Sequence, residues 1–282
     1  MDTAHAVRPP TLLSAPPPPA AAAGSPHHWT GRGQNFAVSW NRAGAGAGLQ
    51  LPVQSADETM LLVLDAPATV SSGGGAAPTA AAPRSVCILP PGAWQVALSP
   101  GATCVVISTL REQAAAGALN ESAYQPPDPR ISPVGSAWRA LRAADTVRVF
   151  PIDQVQASKD KPRLKMLQTA TLSINWVEYD GPRNRRELSP HSHTDFEQGS
   201  LALAGDFLHH LRVEWGADAD TWQADRHERL GSPSLMVVPV DTIHTSEGVG
   251  EGRHLLIDVF SPPRADFIAK GWVANAADYA RP

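Results

Sequence analysis

His191 and His193 stand two residues apart, and spacing of that kind can do chemistry. In an extended strand such residues project from one face, so both imidazoles can chelate one ion. Glu197 and Gln198 follow as the next oxygen donors. Far downstream, Pro239-Val240-Asp241-Thr242-Ile243-His244 reads as a turn that delivers a third imidazole. Three imidazoles and one oxygen suit a catalytic divalent ion with open coordination positions. An isolated pair of this spacing is as well explained by exposed loop residues, so its weight comes from the surrounding elements.

Those elements are short. The chain has 282 residues, 43% of them hydrophobic, with 27 prolines and 22 glycines. This balance favours many turns and short strands over long helices. Residues 1–28 are rich in Pro and Ala and are expected to form a disordered tail. From 29 to 121 the apolar runs Met60–Leu64, Val86–Leu89 and Val105–Leu110 are separated by turn residues, among them Pro90-Pro91-Gly92. Residues 122–146 form a linker in which Ser136–Ala144 has helical spacing, with Trp138 and Leu141 on one face. From 147 to 282, Thr171–Glu178, Leu235–Val238 and His254–Phe260 read as strands, and Leu201–Leu203 with Phe207–Trp215 as a hairpin around Gly205-Asp206. Strand, turn and strand recur in both halves, which predicts an all-β fold of two similar units.

The histidines separate these units. Three of the ten lie in the tail, and the other seven, from His191 to His254, lie in the second half. The folded part of the first half has no imidazole for a metal. Cys87 and Cys104 lack a paired spacing and read as core thiols. Two cysteines are too few to staple a secreted fold and fit a reducing cytoplasm. A formal charge of −4 argues against a broad nucleic-acid face, and no run approaches the ~20 apolar residues of a membrane helix. Gly-rich phosphate loops, nucleophile elbows and CxxC pairs are absent.

The second half resembles the cupins, whose first motif is G-x5-H-x-H-x3-4-E-x6-G and whose second is G-x5-P-x-G-x2-H-x3-N. His191, His193, Gln198 and Gly205 fit the first, with Gln in the Glu position; Pro239 and His244 fit the second. Asp241 replaces the turn Gly, and Asp tolerates the left-handed geometry that Gly supplies. The resemblance covers about a hundred residues. It implies two cupin jelly-roll β-barrels in tandem joined by a short helical connector, the first degenerate and without ligands. It also implies one divalent ion (Zn, Mn, Ni or Fe) on His191, His193, Gln198 and His244, and a homodimer. A neutral amide ligand leaves more positive charge on the ion than a carboxylate and favours Lewis-acid work.

The run Asp258-Val259-Phe260-Ser261-Pro262-Pro263-Arg264-Ala265-Asp266-Phe267 resembles the C-terminal signature of small cupins that process unsaturated uronates. These carry a His-His-Gln-His metal set, with an acid and an aromatic residue on the last strand. His254, Leu256, Asp258 and Phe260 share one strand face, and Leu255, Ile257 and Val259 the other. The resemblance implies Asp258 as the proton carrier, Phe260 as a stacking surface and Arg264 as partner of a substrate carboxylate. On its strand, His209 shares a face with Phe207 and Leu211 and is a candidate cavity residue. The function expected is metal-assisted proton transfer, as isomerisation or ring opening, on a small carboxylated sugar or keto acid. A non-haem iron dioxygenase and a non-catalytic sensor are the alternatives; no nucleic acid or membrane partner is expected.

Overall fold

The computed structural model describes residues 7–14, 24–74, 77–111, 115, 117–142 and 145–282. Its strands lie in two six-stranded sheets and two smaller ones, apart from one isolated pair. The first broad sheet runs, edge to edge, Arg148–Pro151, Ser85–Leu89, Thr59–Val63, Thr103–Thr109, Phe36–Arg42 and His27–Arg32. The second runs Thr11–Ser14, Ser234–Val238, Gln198–Ala204, Arg253–Phe260, Ser173–Asp180 and Leu164–Gln168. Neighbours are antiparallel throughout. The small sheets are Leu49–Ser55, Gly92–Leu98, Ala68–Ser72, Thr79–Ala81, and Arg226–Leu230, Asp206–Val213, Thr242–Val249.

Alternation along the strands decides what each face meets. Every residue of Thr59–Val63 and Ser85–Leu89 is buried, as in a strand covered on both sides. Met60, Leu62, Val86, Val105 and Ile107 join Ile174, Leu201, Leu235, Ile257 and Val259 in one core shared by the two broad sheets. Leu61, Val63, Cys87, Leu89, Cys104 and Val106 point the other way, onto Val53, Val70, Val96 and Leu98 of the four-stranded sheet. The expected apolar runs of both halves fall on these strands.

Three expectations are corrected. Ser136–Ala144 is not a helical connector over its described part; Arg139–Ala140 pairs with Tyr279–Ala280 as a short strand. Trp138 N–H donates to the Ala170 carbonyl and Leu141 N–H to that of Asp278, so long-range partners take the donors a helix would use. The α-helix of the described residues is Ala265–Ala269. The tail of 1–28 is not featureless: Thr11–Ser14 pairs with Ser234–Val237 at the edge of the second broad sheet, and strand His27–Arg32 begins inside it. The rest of that stretch lies partly outside the described residues. Finally, Gln198–Ala204 and Asp206–Val213 do not form a hairpin. The first pairs within the broad sheet and the second within the three-stranded sheet, and Gly205 at φ 83° turns the chain from one to the other.

Candidate functional site

The three histidines meet at the open end of the second sheet pair. His191 and His244 exchange backbone hydrogen bonds as an isolated bridge, with N···O distances of 3.1 and 2.8 Å. His193 lies beyond any strand, so this bridge, and not strand alternation, directs the HxH pair. Between His193 and His244 the turn is closed by Asp241, whose N–H donates to the His193 carbonyl at 2.7 Å. Asp241 has φ 59°, the left-handed geometry expected of it. The ring centroids of His191, His193 and His244 are 4.5–5.3 Å apart. One potential ligand atom from each lies within 4.8 Å of the others.

The side chains are oriented for an ion. His191 and His244 donate their Nδ1–H to the carbonyls of Ser189 (2.8 Å) and Thr242 (2.9 Å), which leaves Nε2 as the lone-pair nitrogen. His244 Nε2 is buried with no partner, a cost that a bound cation would remove. Burial pushes His193 down to about 3; burial, then repulsion from His191, pushes His244 down to about 4. Both are therefore neutral, as metal ligands must be.

Gln198 opens its strand facing this cluster. Its Nε2 donates to Ser200 Oγ and Asp258 Oδ1, both at 3.1 Å, which turns Oε1 toward His193 Nε2 at 3.3 Å. Glu197 points to the opposite face, where it accepts from Gln34 N–H (2.6 Å) and Tyr124 Oη (3.1 Å). Three imidazoles and the Gln198 oxygen thus fit one divalent ion on the chemistry of their donors.

Beside them is a cavity of about 490 Å³. His191, Gln198, His244, Asp258, Phe260 and Arg264 line it, so the last strand presents the face expected of it. Asp258 receives hydrogen bonds from Gln198 and, at 3.3 Å, from Ser200 Oγ. Burial pushes its carboxyl up to about 7 against the opposing pull of Ser200, Asn175 and Arg264. Phe260 stands edge-on to His193 with centroids 5.9 Å apart.

Arg264 is wrapped in aromatic rings, its guanidinium 4.8 Å from Phe196, 5.2 Å from Phe260 and 3.9 Å from Phe267. Nε and Nη2 donate to Asp266 at 2.7 Å each, while Nη1 is buried without a partner. His209 does not line the cavity. It is fully buried, with Nδ1 on Ser246 Oγ at 2.7 Å, and Ser246 occupies the wall in its place.

The sequence reading missed Asn175, Ser200 and Trp272 on the cavity wall and around Asp258, and it gave Phe207 and Phe267 no role there. Ser200 carried a usable signal, two residues beyond Gln198 on the same strand face. Trp272 arrives through the turn after the helix Ala265–Ala269 and had none.

No protein-family model and no curated protein matches the chain. Solved structures do match. A mutant oxalate decarboxylase of Bacillus subtilis superposes with a TM-score of 0.57 at 10% identity, covering 85% of this chain and 73% of that one. AerE of Microcystis aeruginosa gives 0.55 at 9%, over 91% and 99%. The Lactobacillus farciminis oxalate decarboxylase formate complex gives 0.55 at 13%, over 87% and 85%. These are cupin-fold proteins, and the likeness shows that this chain has the cupin fold.

Proposed function

We propose that the chain is a bicupin: residues 29–121, with the edge strand Arg148–Pro151, form a barrel without ligands, and the rest of 147–282, with the edge strand Thr11–Ser14, the working barrel. In this reading it is a metal-dependent enzyme that moves a proton on a small carboxylated sugar or keto acid, by isomerisation or ring opening. The observation that carries the reading is Asp258: a carboxyl with a raised pKa, hydrogen-bonded to a candidate ligand and facing a cavity that also holds a desolvated arginine.

His191, His193, Gln198 and His244 hold the ion, which when bound polarises a carbonyl or hydroxyl. Gln198 and Ser200 fix the Asp258 carboxyl on that side of the cavity. A carboxyl poised near neutrality can take a proton from one substrate carbon or oxygen and return it to another. Arg264 Nη1 donates to the substrate carboxylate, and the rings around the guanidinium keep water off its faces. Phe260 packs on the substrate body. A cavity of about 490 Å³ has room for a six-carbon acid. Its size and aromatic wall separate the proposed substrate from oxalate, on which the B. subtilis and L. farciminis proteins act by name.

The test is elemental analysis of the purified protein, then unsaturated uronates and keto acids in deuterated water followed by NMR. Deuterium incorporation or ring opening that requires metal supports the reading. Turnover only with oxygen uptake, or saturable binding without turnover, overturns it.

A further inference from the structure

The ligand-bearing loops are held from outside, by parts of the chain that contribute no donor to the ion. Glu197 is the first tether. Glu197 immediately precedes the strand that Gln198 opens, so whatever fixes Glu197 also anchors the entry of Gln198 into the site. Glu197 is 6% exposed, and its two oxygens accept from Gln34 N–H at 2.6 Å and from Tyr124 Oη at 3.1 Å. Gln34 belongs to the first half. Its side chain exchanges two hydrogen bonds with the backbone of Asp128, at 3.1 and 2.7 Å, so it also grips the linker. Tyr124 lies under the Arg32 guanidinium, 4.9 Å from its ring centre, and Arg32 is paired with Glu121 at 2.8 Å.

The second tether runs to the other ligand loop. Asp128 holds Arg130 through Nε (3.0 Å) and Nη2 (2.7 Å), and Arg130 Nη1 reaches Asp241 at 3.2 Å. Asp241 is the left-handed residue of the His244 turn, and its N–H donates to the carbonyl of His193. A third bond runs from Ser132 N–H to the Asp195 carbonyl at 2.8 Å, midway between His193 and Gln198. The linker residues Tyr124, Arg130 and Ser132 therefore touch both segments that carry ligands.

We propose that Glu197, Tyr124 and Arg130 are positioning residues of the metal centre, through which the linker and the first half set its affinity. This rests on the metal-centre reading above. Groups that orient metal ligands typically govern affinity by about 10–100-fold. A tether of this kind acts by fixing donor geometry before the ion arrives, so its loss weakens binding even when every ligand remains.

Cobalt(II) is the probe, because its visible spectrum reports ligand geometry as well as occupancy. The metal-free full-length protein is titrated against a chromophoric chelator, beside the variants Tyr124→Phe, Arg130→Met, Glu197→Ala and Glu197→Gln. Asp65→Asn is the control; Asp65 accepts from Thr103 N–H at 2.8 Å within the first half and touches neither ligand loop. Tyr124→Phe removes one hydroxyl and keeps the ring under Arg32, so the fold should survive; thermal melting of each metal-free variant checks this. The expected result is roughly tenfold weaker cobalt binding in Tyr124→Phe and Arg130→Met, with altered visible bands. Glu197→Ala should lose more, Glu197→Gln should recover part of the loss by keeping an acceptor for Gln34, and Asp65→Asn should bind as the parent does. Parental affinity and spectrum in both Tyr124→Phe and Arg130→Met overturn the inference while the metal-centre reading stands. A parent protein that takes up no cobalt overturns both.

Discussion

The two sheet pairs use one construction to opposite ends. In the first, the face of the broad sheet turned to its smaller partner carries Leu61, Val63, Cys87, Leu89, Cys104 and Val106, and the space is packed shut. Burial pushes both thiols up to about 12, so they are apolar filling and not nucleophiles. In the second, the corresponding face carries Gln198, Ser200, Leu256, Asp258 and Phe260, and a cavity opens. The opposite faces of both broad sheets are equally apolar, because they share one core. A sheet can therefore keep its structural face and exchange its other face for chemistry, since neighbouring strand residues never point the same way.

The comparison breaks most sharply at the imidazoles. The double variant His191→Ala/His193→Ala should fall from one metal equivalent to none by elemental analysis. Metal retained at full occupancy, or a second equivalent bound within 29–121, would erase the contrast. Next in size is Asp258→Asn, which should lower kcat by ~10²–10⁴-fold with metal content unchanged. Full turnover on a substrate of the proposed class would show that another group carries the proton.

Filling and function can also be told apart by stability. Leu61→Ala in the packed pair should cost about 2–5 kcal/mol in denaturant unfolding, because a fully buried side chain leaves a hole. Arg264→Met, at the cavity wall, should instead raise KM for a carboxylated substrate with a smaller effect on unfolding; an unchanged KM would count against its place in the site.

The smallest effect is in pH. Burial holds His209 at about 4 in the fold, below its ordinary value near 6.5. As pH falls, the unfolded chain takes the proton first, so this stability is whole above about 6.5 and is lost toward 4. The His209 share of the loss between pH 7 and pH 5 should be about 2 kcal/mol, and His209→Gln should remove that share from the slope set jointly with His193, His244 and Asp258. An equal slope in the variant would place the titration elsewhere. Among the described residues no buried imidazole stands between the sheets of the first pair, so local amide exchange there should lack this contribution.

Much of the site was legible because its signals are local. The HxH pair, the Pro239–His244 turn and the alternation of His254–Phe260 each lie within a few residues. Gln198 over Glu197 followed from motif spacing, and the network of Ser200 and Asp258 agrees with it. What escaped was determined by distant partners. Ser136–Ala144 has helical spacing, yet its backbone is claimed by Ala170, Asp278 and the strand Tyr279–Ala280. His209 was placed on the right face, but the three-stranded sheet sets Ser246 between it and the cavity.

The strand Thr11–Ser14 has a consequence in time. It leaves the ribosome well before its partner, Ser234–Val237. At a synthesis rate of ~5–20 residues per second, its three apolar-rich residues Thr11-Leu12-Leu13 wait on the order of ten to forty seconds for the strand they will cover. Until then Thr11–Ser14 has no edge to pair with, and a strand made early in this sheet can be placed only after one made late.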